Sequence, residues 1–151
     1  MNETPVTHTG GCMCGAIRYE IEGSPSFEAV YCHCSHCRHH TGAPATAAAG
    51  FPAERVRWSG AQRTKYDSTP GEVARSFCPK CGTSLTWEGG TIGWEGGLSQ
   101  GVQGADIGII GIHIGTLDNP DAFPPTQHIF YRDRVSWFET NDELPRYPAM
   151  P

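Results

Sequence analysis

The chain has 151 residues, of which 38% are hydrophobic and 18% charged, with 19 glycines, 12 prolines and a net charge of -5. This length fits one compact domain, and the many turn-forming residues favour an all-β fold over a helical bundle. The acidic balance provides no long-range field that would attract nucleic acid or an anionic membrane surface. We therefore predict a single domain over residues 1–151, with an ordered core over about 10–140, and neither nucleic acid nor a membrane as partner.

The N-terminal residues 1–9 are polar, and no stretch of the chain approaches the ~20 apolar residues of a membrane-spanning helix. No secretory signal is visible, so we predict a cytoplasmic protein. The seven cysteines are then more naturally metal ligands or catalytic groups than disulfides, because the compartment is reducing and an odd number cannot pair completely.

The first patterned segment carries Cys12 and Cys14 between glycines. Cysteines two positions apart face the same side of an extended backbone, and the glycines let the chain bend tightly around an ion. Residues 16–22 then alternate apolar and polar side chains, which predicts a half-buried strand, and residues 27–33 predict a second strand after a turn.

Residues 31–40 read Tyr-Cys-His-Cys-Ser-His-Cys-Arg-His-His and hold three cysteines and four histidines. Cys32 and Cys34 share one face of an extended strand, while Cys34 and Cys37 have the spacing of a metal-binding knuckle. Three thiolates can converge on one ion and leave a fourth position open, as in catalytic zinc sites. The sequence leaves that position to water, to a substrate thiol or to one of the nearby histidines: His33, His36, His39 and His40.

The next residues, 41–50, are rich in alanine and contain Pro44, so we predict a short strand of small side chains rather than a helix. Small side chains here either clear space for a ligand or allow two sheets to approach closely. Residues 51–54 predict a single helical turn, and residues 56–58 and 64–67 predict short strands.

Residues 73–82 predict a strand that ends in a second knuckle, Cys78 and Cys81, and a further strand follows over residues 84–87. The glycine-rich stretch 89–104 predicts a mobile loop. Its Trp94 is either an incidental surface residue or part of a lid over the site.

Residues 107–117 predict another strand, which contains His113. For a lone histidine on an apolar strand we favour a structural role over a metal-binding or catalytic one. The final strand is predicted over residues 127–138, and the tail from Glu139 onward is predicted to be irregular.

The seven cysteines divide most economically into two metal-binding groups. Four of them complete a tetrahedral shell and join distant parts of the chain, which predicts a structural zinc: Cys12, Cys14, Cys78 and Cys81. The other three are predicted to hold a catalytic zinc, as ligands and not as nucleophiles: Cys32, Cys34 and Cys37. An iron–sulfur cluster is disfavoured because its usual types need four donors and only three thiolates remain. We therefore expect two zinc ions per chain.

These motifs resemble those of the glutathione-dependent formaldehyde-activating enzymes, a family whose domain also occurs in a vertebrate centromere protein. The resemblance rests on residues 11–15, 32–38, 77–83 and 115–118. It implies a mostly antiparallel β-tent stapled by zinc. It also implies a structural zinc on the first and third motifs and a more labile zinc on the middle one, in agreement with the division above.

The open position and the resemblance together lead to a functional hypothesis. We predict a zinc-dependent carbon–sulfur lyase or synthase acting on adducts of a small thiol, such as glutathione, with formaldehyde or a related aldehyde. The sequence does not choose among His33, His36 and Arg38 as the group that moves protons or binds a substrate carboxylate. The competing hypothesis is a non-catalytic zinc-binding domain that recognises a thiol or a protein partner.

Overall fold

The fold is described from a computed structural model over residues 4–70, 72–89 and 108–151. The described residues form ten strands in two sheets together with one α-helix, which confirms the predicted all-β fold. In chain order the elements are β1 (Thr7–Gly11), β2 (Ile17–Glu22), β3 (Phe27–Cys32), α1 (Ser35–Thr41), β4 (Thr46–Pro52), β5 (Val56–Gly60), β6 (Thr64–Thr69), β7 (Val73–Phe77), β8 (Ser84–Gly89), β9 (Ile109–His113) and β10 (Gln127–Ile129). The predicted loop 89–104, with Trp94, lies outside the described residues except for Gly89.

The smaller sheet has the order β1-β2-β5, and the larger has the order β10-β3-β4-β9-β8-β7-β6. All pairings are antiparallel except that of β10 with β3, which is parallel. The main core joins the two sheets, because Tyr19 and Ile21 of the smaller sheet pack in one buried cluster with Phe51 and Ile112 of the larger. Among the described residues, no helix is both long enough and apolar enough to cross a membrane.

The sequence did not predict α1. The thiol of Cys34 accepts a hydrogen bond from the backbone N–H of Cys37 at 3.3 Å and so caps the helix N-terminus. Gly42, in the left-handed conformation at φ 70°, ends the helix and donates its N–H to the carbonyl of Arg38. Cysteine is not among the usual N-cap residues, so the sequence gives no clear signal for a helix start, and the cysteine spacing indicates only a metal-binding knuckle.

The last predicted strand was too long. Of residues 127–138, the strand covers three, because Phe130 takes up a left-handed conformation at φ 52° and a 3-10 turn follows over Tyr131–Asp133. The tail from Glu139 is irregular, as predicted, yet it packs along β10: the N–H of Tyr147 donates to the carbonyl of His128 at 2.9 Å. The tail therefore holds β10 against β3, the strand that ends at Cys32.

Candidate metal centres

The first cysteine group lies where turns from the two sheets meet. The β1–β2 turn carries Cys12 and Cys14, the β7–β8 turn carries Cys78 and Cys81, and all four sulfurs lie within 4.8 Å of one another. A hydrogen bond of 3.0 Å from the backbone N–H of Met13 to the hydroxyl of Thr83 joins the same two turns. The group therefore links a turn of the smaller sheet to a turn of the larger sheet.

The local sequence explains why these sulfurs converge. Each turn closes with a backbone hydrogen bond from the glycine after the last cysteine, Gly15 to Cys12 at 3.0 Å and Gly82 to Cys78 at 2.8 Å. Both glycines have φ of 78°, a left-handed conformation that larger residues rarely adopt. The two turns are thus matched half-sites.

The spacing of these sulfurs fits tetrahedral zinc. The Cys12 and Cys14 sulfurs are 3.6 Å apart, and those of Cys14 and Cys78 are 3.9 Å apart. Zinc–sulfur bonds of about 2.3 Å place the corners of a tetrahedron ~3.8 Å apart. The hydroxyl and the backbone N–H of Thr83 also lower the pKa of Cys81 to about 5, which favours the thiolate that a metal requires.

The second group comes from the end of β3 and the start of α1. Cys32 is the last residue of β3, Cys34 caps α1 and Cys37 lies in its first turn, and their sulfurs also lie within 4.8 Å of one another. The helix is what turns Cys37 back toward the strand. The donor set is soft and suits zinc, and it is one ligand short of a tetrahedral shell.

Hydrogen bonding concentrates negative charge on one sulfur of this group. The neighbouring sulfurs of Cys32 and Cys37, with a backbone hydrogen bond from Cys37, lower the pKa of Cys34 to about 2 despite its burial. The same sulfur contacts, followed by burial, raise the pKa of Cys32. Without a metal the three sulfurs share protons, so metal binding must release them.

None of the four nearby histidines completes this group. In the described part of the chain, no other cysteine, histidine or carboxylate ligand atom joins the three sulfurs within 4.8 Å. Nε2 of His33 instead lies 2.8 Å from Nδ1 of His128, and His39 contacts the carbonyl of Ser35 at 2.8 Å. The ring of His40 lies beside that of His113, and His36 is exposed at the edge of a cavity.

That cavity, of about 280 Å³, contains all three cysteines of the second group in its wall. Of the three groups that the sequence offered for proton transfer or carboxylate binding, His36 is among the described lining residues, whereas His33 and Arg38 are not. Most of the remaining described lining is apolar: Phe27, Val30, Val73, Trp87, Ile129, Phe130 and Met150. The open side of the sulfur group therefore faces space for a small molecule.

Two glycines make room for the aromatic wall of this cavity. Gly50 of β4 and Gly111 of β9 pair directly across the sheet. A Cβ atom at Gly50 would lie 1.9 Å from the Phe27 ring, and one at Gly111 would lie 2.1 Å from the Trp87 ring. The two rings stack with centroids 6.0 Å apart. Gly50 belongs to the segment of small residues 41–50, and its lack of a side chain leaves space for the Phe27 ring that lines the cavity.

Arg75 also belongs to this site and was not predicted from the sequence. It lies on β7, lines the cavity and donates a hydrogen bond from Nη1 to the sulfur of Cys37 at 3.5 Å. Its charge helps to lower the pKa of Cys34. The available signal was an arginine in a strand that is otherwise made of apolar or small residues, because a charge is rarely buried without a partner.

Comparison with known proteins now identifies the family. The sequence model described as glutathione-dependent formaldehyde-activating enzyme matches residues 7–133. The chain belongs to this family. All seven cysteines lie within the matched region, and the resemblance seen in the motifs is confirmed. Membership in the formaldehyde-activating family implies an enzyme with a glutathione-dependent, carbon–sulfur bond-forming role and a small thiol as substrate.

The fold has a solved counterpart. A crystal structure of a Rhodobacter sphaeroides protein is similar to this chain, with a TM-score of 0.52 and 18% sequence identity, over 91% of this chain and 98% of that one. At this identity the likeness supports the fold of this formaldehyde-activating family member and nothing about its substrate.

His113 of this family member is expected to make stability depend on pH. Burial lowers its pKa to about 3, and its Nδ1 donates to the carbonyl of Ser84 at 3.1 Å, so the neutral ring is the folded form. The unfolded chain takes up a proton near pH 6.5, so this stabilisation is complete above that pH and is lost as pH falls toward 3. Between pH 7 and pH 5 the loss should be about 2 kcal/mol.

Urea unfolding at both pH values checks this expectation, with His113→Gln as the non-titrating comparison. The variant should lose less stability than the wild type over the same interval. Equal losses in the two proteins would show that His113 does not titrate on unfolding.

Proposed function

We propose that the second cysteine group binds a catalytic zinc and that the protein joins a small thiol to formaldehyde or a related aldehyde, or cleaves the adduct. The protein would thus be a carbon–sulfur lyase or synthase of the S-(hydroxymethyl)glutathione synthase type. The observation that carries this proposal is the set of three converging sulfurs with no fourth described protein ligand, open to a cavity. The first group is proposed to hold the structural zinc.

Each residue of the site has a role in this scheme. Cys32, Cys34 and Cys37 would hold the ion, which when bound supplies the positive charge that keeps an incoming sulfur as thiolate at neutral pH. The helix N-terminus and the Cys37 N–H stabilise the negative charge on Cys34. The stacked rings of Phe27 and Trp87 exclude water from the adjoining space and confine the aldehyde next to the sulfur.

The chemistry balances without an oxidant or reductant. The thiol loses its proton, its sulfur forms a bond to the carbonyl carbon, and the carbonyl oxygen takes up a proton as the C=O double bond becomes single. Lysis is the reverse. His36, exposed at the cavity edge, is the proposed carrier of the proton between solvent and the oxygen.

Glutathione and formaldehyde equilibrate spontaneously with their adduct, so catalysis appears as a faster exchange between the free and the adduct forms. Exchange NMR measures this rate. The zinc-loaded protein is expected to raise the exchange rate in proportion to its concentration and to the occupancy of the second group. Protein that retains zinc but accelerates no thiol and aldehyde pair would contradict the proposal. That outcome would favour the non-catalytic binding domain.

A further inference from the structure

Arg75 is buried, and no carboxylate of the described residues pairs with it. Its residue surface is 8% exposed, Nε donates to the hydroxyl of Ser68 at 3.2 Å, and Nη1 donates to the sulfur of Cys37 at 3.5 Å. Among residues 4–70, 72–89 and 108–151, no acidic side chain forms an ion pair with it. A buried guanidinium that lacks a counter-charge is strongly disfavoured, so the sulfur group is the counter-charge for Arg75.

The rest of the molecule shows that this pairing is specific. Arg63, a partly buried arginine just before β6, pairs conventionally with the carboxylate of Glu88 at 2.7 Å. The hydrogen bonds to the first cysteine group come from neutral donors, such as the backbone N–H of Ile17 to Cys12 and the hydroxyl of Thr83 to Cys81. In the described structure, a guanidinium contacts the second group and none contacts the first.

The net charge of the metal-loaded second group determines how the Arg75 guanidinium affects a fourth ligand. A divalent ion held by three thiolates carries one net negative charge, and a fourth thiolate would raise this to two. Water or imidazole in the same position would leave it at one. A fixed positive charge in hydrogen-bond contact with the group therefore stabilises the thiolate complex more than either neutral alternative.

We propose that Arg75 determines the ligand preference of the open position, making it accept an anionic thiolate rather than a neutral ligand. This inference rests on the proposed function and extends it. Arg75 acts on the incoming ligand through the charge of the sulfur group, and its removal should change selectivity between ligands and not merely weaken the site.

Protein carrying zinc in the first group and cobalt in the second is titrated with 2-mercaptoethanol, which has no carboxylate, and separately with imidazole. Arg75→Gln keeps hydrogen-bond donors but removes the charge, whereas Arg75→Lys keeps the charge. The matched control is Arg57→Gln, on the smaller sheet, whose guanidinium pairs with Glu20 and Glu22 at the surface. Cobalt absorption reports ligand binding directly, without turnover.

Arg75→Gln is expected to raise the half-saturating thiol concentration about tenfold to a hundredfold, the usual worth of a charge-assisted hydrogen bond, with little change for imidazole. Arg75→Lys should fall between Arg75→Gln and the wild type, and Arg57→Gln should match the wild type. Should Arg75→Gln fail to fold, Arg75→Lys still tests the inference through the ratio of thiol to imidazole affinity. The retained charge should keep thiol favoured over imidazole, and loss of that preference would contradict the inference.

Three results would overturn the inference and leave the proposed function standing. The first is equal thiol affinity in wild type and Arg75→Gln, and the second is a parallel loss of thiol and imidazole binding in Arg75→Gln. The third comes from a further titration with 3-mercaptopropionate, a thiol that has a carboxylate: Arg75→Gln would lose affinity for it but not for 2-mercaptoethanol. The last would mean that Arg75 recognises a carboxylate. Failure of the proposed function gives a different pattern, in which the wild type itself does not respond to any thiol, and the inference then falls with it.

Discussion

Replacing Cys12 or Cys81 by serine is expected to leave the chain largely unfolded at 25 °C. Each change removes one corner of the four-sulfur group that joins the β1–β2 and β7–β8 turns. Structural zinc contributes about 10 kcal/mol of binding free energy, which is comparable with the whole stability of a domain of this size. The hydrogen bond between Met13 and Thr83 cannot replace such a link.

Circular dichroism melts of purified variants measure this effect, and Cys34→Ser is the matched control. Serine is a favoured N-cap residue, so its hydroxyl can accept the bond from the Cys37 N–H that the sulfur accepts in the wild type. Cys34→Ser should therefore melt close to the wild type. A Cys34→Ser variant as damaged as Cys12→Ser would show that the roles of the two groups are wrongly assigned.

The same Cys34→Ser variant is expected to lose catalysis while keeping its fold. A serine hydroxyl is a poor zinc ligand, and Cys34 is the sulfur whose pKa is lowered most, to about 2. Even changes to residues that only support metal ligands typically cost tenfold to a hundredfold, so we expect the protein-catalysed exchange of glutathione and formaldehyde to fall by about a hundredfold or more.

Exchange NMR on Cys34→Ser and wild type, after metal content is measured on both, checks this loss. The variant should retain about one zinc per chain, in the first group. Catalysis that persists in a variant with an empty second group would place the reaction elsewhere in the molecule.

The sequence predicted the division of the cysteines from their local spacing together with the count of seven thiols, which divides most economically into groups of four and three. Cys12 and Cys14 lie on one tight turn and Cys78 and Cys81 on another. The sheet topology brings the two turns together, so that the four sulfurs lie within 4.8 Å of one another. Most strands were also predictable, since alternation in residues such as Ile17, Tyr19 and Ile21 reflects burial on one face.

Other features depend on tertiary contacts that no local pattern reveals. Helix α1 depends on a cysteine cap, and the end of β10 depends on the left-handed conformation of Phe130. Arg75 is distant in sequence from Cys37, and only the fold of β7 beside α1 brings the guanidinium to the sulfur. The aromatic wall likewise needs Gly50 and Gly111 to face each other across two strands.

The most direct test of the central claim is whether a small thiol binds metal at the second group. Wild-type protein with zinc in the first group and cobalt in the second is titrated with glutathione while thiolate-to-cobalt charge-transfer absorption is recorded. We predict a saturable rise in absorption with cobalt retained by the protein, and no rise in Cys34→Ser. An unchanged spectrum with cobalt retained, or a falling one with cobalt released to the filtrate, would contradict an open catalytic position.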